Sequence, residues 1–145
     1  MTVSAPLSGT IVALDDVPDP VFAAALVGPG VAIEPDDGAT QVCAPVAGTL
    51  VKVKPHAFVV LGDGDRGVLV HLGIDTVKRN GEGFEILAAE GSRVEAGEGV
   101  IRWDPVAVRG AGLSAVCPVV ALDAASVADV TNGHVSPGDA IFRWL

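Results

Sequence analysis

Two histidines with apolar neighbours are the residues of this chain best suited to chemistry. His56 lies in the segment 55–61, and His71 follows fifteen positions later in the segment 68–72. The hexapeptide 62–67 between them contains three glycines and two aspartates, and this composition predicts a turn that joins two strands. Neutral imidazole is a good nucleophile near pH 7, because its unperturbed pKa is about 6.5. A histidine held in place can therefore accept a phosphoryl group, and a second histidine can donate a hydrogen bond to that group.

The register of this hairpin decides whether the two imidazoles meet. If Leu61 lies opposite Val68, then His56 lies opposite Gly73 and becomes a diagonal neighbour of His71, about 7–8 Å away at the backbone. A shift of one residue would put the histidines on opposite faces. The predicted site face contains His56, Phe58, Val60, Leu69, His71 and Gly73, and the predicted core face contains Ala57, Val59, Leu61, Val68, Val70 and Leu72.

The neighbours of His71 suggest how its imidazole ring is oriented and shielded from water. The carbonyl of Gly73, two residues on, can hold one ring nitrogen, so that the other nitrogen presents its lone pair. Apolar side chains at Leu69, Val60 and Phe58 would exclude water and slow the hydrolysis of a phosphohistidine.

Length, composition and charge limit the function classes. A chain of 145 residues predicts a single domain, 1–145, and only 4% of the residues are aromatic. The net charge of −9 argues against a nucleic-acid partner, whose phosphates would be repelled, and is compatible with a basic protein partner. No apolar run reaches the roughly 20 residues of a membrane span, and no signal peptide is visible. We therefore expect a cytoplasmic protein, in which Cys43 and Cys117 are buried free thiols.

Two internal repeats indicate the fold. The segment 5–12 recurs as 44–51, and the segment 94–103 recurs as 135–144. Two different units that each occur twice indicate a duplication. We predict an all-β fold, a barrel or sandwich with approximate two-fold pseudosymmetry. Further strands are predicted at 30–34, 83–87 and 118–122, and short helical segments at 19–28, 104–108 and 123–130.

The segment Val-His-Leu-Gly-Ile-Asp-Thr-Val at 70–77, followed by Asn-Gly-Glu-Gly-Phe at 80–84, resembles the signature of a known family. That family is the glucose-type enzyme IIA, the phosphocarrier of the bacterial phosphoenolpyruvate-dependent sugar phosphotransferase system. Further segments that resemble sequence blocks of this family lie at 5–9, 16–19, 21–22, 56–58 and 131–138. The resemblance implies a β-rich duplicated hybrid barrel, which agrees with the repeats.

The resemblance also implies residue roles. His71 would be the phosphorylated histidine, His56 would stabilise the phosphoryl group, and Gly73 would orient the accepting ring through its carbonyl. An apolar docking patch would contain Val21, Phe22, Leu26, Val27, Leu69 and Val77. Asp19 and Asp75 would meet basic residues of the donor.

The implied partners are proteins. The donor would be the phosphocarrier HPr, and the acceptor would be the IIB domain of a glucose-type or N-acetylglucosamine-type permease. A regulatory role toward transporters or kinases is a further expectation, and no cofactor is expected. The chain differs from the family at Lys54, where threonine is often found. This lysine either offers its charge to the phosphate or points to solvent.

Two other classes of protein share parts of this sequence pattern. Lysostaphin-like zinc peptidases share a related barrel, and a catalytic zinc needs three protein ligands. His56 and His71 would be joined by Asp75 or His134, although the chain has no His-x-His motif and His134 is expected in a solvated polar turn. No intrinsic metal site is therefore expected, and zinc held by His56, His71 and a carboxylate of a partner is a further hypothesis. A lipoyl-type carrier needs a lysine at a hairpin tip, a position that no lysine here is predicted to occupy.

Overall fold

Antiparallel β-sheet is the main regular structure in the computed structural model, which describes residues 1–145. The thirteen strands are β1 (Thr2–Ser4), β2 (Gly9–Val12), β3 (Gly30–Pro35), β4 (Gln41–Cys43), β5 (Gly48–Lys54), β6 (Ala57–Gly62), β7 (Arg66–His71), β8 (Phe84–Ile86), β9 (Arg93–Val94), β10 (Gly99–Trp103), β11 (Cys117–Ala121), β12 (His134–Val135) and β13 (Ala140–Arg143). The two α-helices are α1 (Pro20–Ala23) and α2 (Pro105–Gly110). Three 3₁₀ turns lie at Leu14–Asp16, Asp63–Asp65 and Thr76–Arg79.

The order of strands in the large sheet confirms the duplication. It runs β12-β2-β3-β11-β7-β6-β5-β9, so the repeated strands β2 and β5 hold equivalent places on either side of the central pair β11-β7. The repeated strands β10 and β13 pair with β4 and β1 in two smaller sheets. The sheets do not close on themselves, so the architecture is a sandwich rather than a barrel.

A glycine at the same place in both repeats explains why the repeat persists in the sequence. A Cβ atom on Gly9 would lie 2.2 Å from the carbonyl oxygen of Glu34, and one on Gly48 would lie 2.1 Å from that of Leu61. In each half, the first strand of the unit approaches its neighbour too closely for any side chain at this position.

Two apolar clusters fill the interior. The larger one lies between the sheets and includes Phe58, Phe142 and Trp103, whose indole N–H donates to the carbonyl of Ala39 at 2.9 Å. The smaller one packs beneath α1 and contains Leu14, Val17, Phe22, Ala32, Ile74, Val116 and Val120. Phe22 of α1 and Ile74 of the turn after His71 both belong to the small cluster. Cys43 and Cys117 are buried and free, which confirms the prediction.

The register of the β6–β7 hairpin differs from the prediction by one residue. Leu61 lies opposite Gly67 rather than Val68, and Ala57 lies opposite His71. The cause is a tight connection, because β6 continues to Gly62 and only the 3₁₀ turn Asp63–Asp65 separates it from β7.

The faces of β6 are therefore exchanged. The residues that point into the core are Phe58, Val60, Val68, Val70 and Leu72, whereas Ala57, Val59 and Leu61 share the outer face with Leu69 and His71. The expectation that Phe58 and Val60 lie beside the site histidines was wrong.

Helix caps account for both α-helices. The carboxylate of Asp19 accepts hydrogen bonds from the N–H groups of Val21 and Phe22, and Asp104 caps α2 in the same way. The third predicted helix, 123–130, was wrong, because Ala128 forms a bridge with Arg143 of β13 and the segment runs along that strand. Neither α-helix has the length and apolar character needed to cross a membrane.

Candidate functional site

His71 ends β7, and its ring is held by the turn that follows. Nδ1 lies 2.7 Å from the carbonyl oxygen of Gly73. The backbone at Gly73 has a φ of +76°, which turns this carbonyl back towards the ring. The turn is fixed from both sides: the Ile74 N–H donates to Ser114 O at 2.9 Å, and the Thr76 hydroxyl donates to Leu72 O at 2.7 Å. In the neutral ring Nδ1 therefore carries the proton, and Nε2 presents its lone pair.

His56 reaches the same site from the turn between β5 and β6. It precedes β6, so its side chain does not follow the alternation of that strand, and its carbonyl accepts from the Leu72 N–H at 2.7 Å. The His56 and His71 rings lie with their centroids 5.2 Å apart and their planes at 75°. The two imidazoles thus meet although the predicted register was wrong.

Phe22 is the aromatic side chain that packs against His71, whereas Phe58, expected among the apolar neighbours of the site, points into the core. The Phe22 ring centroid lies 5.2 Å from that of His71, and the side chain is only 7% exposed. Phe22, which the resemblance places in the docking patch, belongs to α1 and packs into the small cluster. The Asp19 cap and Pro20 place it there, so the sequence signal for the short helix was also a signal for the position of Phe22.

Burial keeps both histidines neutral. Burial is the main cause that lowers the pKa of His71, and the His56 ring lowers it further. The Gly73 carbonyl, Asp19 and Asp75 oppose this shift. For His56, burial and then the charge of Lys54 lower the pKa. Near neutral pH the site therefore presents two uncharged imidazoles, one of which has a free nucleophilic nitrogen.

Apolar side chains are exposed in the segments that precede and follow the site. Val21, Leu26 and Val77 are 45%, 71% and 59% exposed, and Val77 lines a cavity together with His56. Val27 and Leu69 are half-buried and pack against the small cluster.

The two predicted acids are both in place near His71, since each acts electrostatically on its ring. Asp75 is exposed and lies 3.9 Å from Lys78, whereas the carboxylate of Asp19 is used in capping α1.

The structure does not bring together a zinc site. No group of three or more His, Cys, Asp or Glu side chains is placed to hold a metal ion. His134 is exposed in β12, not in a turn, and its Nε2 lies 2.7 Å from a carboxylate oxygen of Asp36. The zinc peptidase alternative is therefore not supported.

Comparisons with known proteins show which family the chain is similar to. The family model described as "phosphoenolpyruvate-dependent sugar phosphotransferase system, EIIA 1" matches residues 1–127. The chain is 44% identical, over 80% of its length and 67% of the relative's, to a glucose-specific EIIA component of the phosphotransferase system from Halalkalibacterium halodurans. It is 35% identical, over 95% of its length, to a glucose-specific EIIBCA component from Corynebacterium glutamicum, of which it spans only 20%.

A solved structure shares the fold. The glucose permease IIA from Mycoplasma capricolum superimposes with a TM-score of 0.90 at 34% sequence identity. The match covers 98% of this chain and 94% of that one.

Proposed function

Because the chain belongs to the EIIA 1 family of the phosphoenolpyruvate-dependent sugar phosphotransferase system, we propose that it is a phosphohistidine carrier and that His71 is its acceptor. The supporting observation is the 2.7 Å contact between His71 Nδ1 and the Gly73 carbonyl, which leaves Nε2 free. The donor would be phospho-HPr, and the acceptor would be a cysteine of the IIB domain of a sugar permease.

The first transfer is an in-line displacement at phosphorus. The Nε2 lone pair of His71 forms the new N–P bond while the N–P bond of the donor histidine breaks. The proton on Nδ1 stays in its hydrogen bond to Gly73, which offsets the positive charge that develops on the imidazole as the bond forms.

His56 stabilises the transferred group. Neither nitrogen of its ring has a hydrogen-bond partner within the protein, so one of them is available to donate to a phosphoryl oxygen. Phe22 covers the His71 ring on another side and limits the access of water.

The exposed apolar surface suits a protein donor and acceptor. Val21, Leu26 and Val77 would be covered by the partner, and Asp19 and Asp75 would face basic residues there. Two observations favour a glucose-type permease as the destination: relatives carry glucose-specific names, and one of them joins EIIB, EIIC and EIIA in one chain.

Reconstituted phosphorylation tests this proposal. With phosphoenolpyruvate, enzyme I and HPr, the protein should gain one acid-labile phosphate, seen as a mass increase of about 80 Da that is removed by acid. His71→Ala should gain none, and His134→Ala should gain one as the wild type does. Phosphate on the His71→Ala variant would show that the acceptor is another residue.

A further inference from the structure

A groove beside His56 contains four residues to which the carrier chemistry described above gives no role: Lys54, Pro55, Asn80 and Gly81. It has a volume of about 470 Å³ and is lined by Lys54, Pro55, His56, Val77, Asn80 and Gly81. The segment 54–56 forms one wall and the segment 77–81 the other. The walls touch at the base, because a Cβ atom on Gly81 would lie 3.4 Å from the ring of Pro55.

The groove has the wrong chemistry for a cation and the right chemistry for an anion. No carboxylate lines it, although the chain has 18 acidic residues and a net charge of −9. The two other cavities each contain two acids, Asp16 with Glu34 and Glu85 with Asp104.

Several hydrogen-bond donors that line the groove have no acceptor within the protein. Lys54 has no carboxylate within 4 Å, whereas four of the six arginines are paired with acids. The backbone N–H of Gly81 has no acceptor within the protein, and the ring of His56 has no hydrogen-bond partner. The amide of Asn80 adds two further donors.

We propose that this groove is a binding site for phosphate-type oxyanions and that Lys54 supplies its charge. Lys54 lies at the end of β5, opposite Ala57 across the turn that holds His56. An oxyanion held there contacts Lys54, His56 and the free N–H of Gly81 together. The same lysine also lowers the pKa of His56, so the charge at the groove comes from the ammonium while the imidazole stays neutral.

The groove links anion binding to transfer, and this link rests on the proposed function. His56 lines the groove, and its ring centroid lies 5.2 Å from that of His71, which is not itself part of the lining. In this proposal the groove therefore lies next to a phosphoryl group on Nε2 of His71. Its donors would hold the phosphoryl oxygens on the His56 side. Lys54 would thus contact the phosphoryl oxygens directly in the phosphorylated protein, and binding of free phosphate does not depend on the carrier function.

The test is a titration of the unphosphorylated full chain with inorganic phosphate at constant ionic strength, followed by amide NMR. We expect saturable shifts at residues 54–56 and 80–81. Lys54→Met should weaken binding roughly tenfold, since one charge-assisted contact is lost. Lys52→Met is the matched control, because Lys52 is an exposed lysine of the same strand that does not line the groove, and it should bind as the wild type does.

Two results would overturn the site: absence of saturable shifts in the wild type, or equal phosphate affinity of the Lys54→Met and Lys52→Met variants. A second titration uses the protein after phosphorylation. If the groove holds the protein's own phosphoryl group, free phosphate no longer binds, whereas unchanged binding overturns the link to transfer. Failure of the carrier proposal appears separately, as an absence of phosphate on His71 in the mass spectrum.

Discussion

Replacing Gly73 with alanine should damage the site in a way that can be calculated from the structure. The residue has a φ of +76°, and a left-handed backbone costs an L-residue about 1–2 kcal/mol. The new Cβ would lie 2.7 Å from Cγ2 of Thr76 and 2.8 Å from the carbonyl oxygen of Ser114. Neither neighbour is free to move, since the Thr76 hydroxyl is bonded to Leu72 and the Ser114 carbonyl to Ile74.

The expected loss is the sum of these two effects. Overpacking of this kind costs about 1–3 kcal/mol, so the Gly73→Ala change should lower the free energy of unfolding by about 2–5 kcal/mol. Gly97→Ala is the matched control, because Gly97 has a φ of +90° and nothing within 4 Å of the added Cβ. That variant should lose only the backbone cost, about 1–2 kcal/mol.

Urea unfolding measures the difference between the two variants, and phosphorylation by phospho-HPr measures its chemical consequence. A displaced Gly73 carbonyl weakens a hydrogen bond worth about 0.5–1.5 kcal/mol, so phosphorylation of Gly73→Ala should slow by about two- to tenfold. Gly97→Ala should be phosphorylated at the normal rate. Equal stability of the two variants, with equal rates of phosphorylation, would refute the account of how the ring of His71 is held.

Three further predictions concern transfer, pH and docking. His56→Gln should still accept phosphate from HPr but pass it to IIB at least about tenfold more slowly, because a phosphoryl-stabilising donor is altered. The rate of transfer to IIB is measured with the phosphorylated variant, and a normal rate would remove His56 from the mechanism. The pKa of His71 is lowered on folding, so the stability conferred by its neutral ring is complete above about pH 6.5 and is lost as pH falls through the folded pKa. Urea unfolding of the wild type at decreasing pH should show this loss of stability. The His71→Gln variant should lose less stability over the same pH range. Leu26→Asp should slow transfer from HPr without changing stability by more than about 0.5 kcal/mol, whereas Val130→Asp, at a similarly exposed apolar position outside the patch, should leave the rate unchanged.

The duplication could be read from the sequence because it depends on local geometry that only one residue type allows. Gly9 and Gly48 each lie against a neighbouring carbonyl, so both copies keep the glycine and the repeat stays visible. The caps at Asp19 and Asp104 are also local signals, and both helices start where those residues indicate.

The register of the β6–β7 hairpin was not accessible in the same way. Both faces of β6 are apolar, so a shift by one residue leaves the hydrophobic pattern nearly unchanged. The sequence pattern therefore does not indicate whether Ala57 or Phe58 shares a face with His71. The contact between Phe22 and His71 was not predicted for a related reason, although the resemblance placed Phe22 in the docking patch. Its contact with His71 joins a short helix to a distant strand, and no spacing along the chain encodes that distance.

The segment 123–130 shows the limit of capping signals. An acid followed by small apolar residues favours a helix, but the bridge between Ala128 and Arg143 and the ion pair of Arg143 with Asp129 hold the segment along β13. Tertiary pairing outweighed local preference here, as it does for many short segments.

The most direct test of the carrier mechanism is the position of the phosphate on the imidazole. Nitrogen-15 NMR of the phosphorylated protein distinguishes the two ring nitrogens of each histidine. The account predicts phosphate on Nε2 of His71, with Nδ1 protonated and still bonded to the carbonyl of Gly73. Phosphate on Nδ1 of His71, or on the ring of His56 or His134, would contradict it.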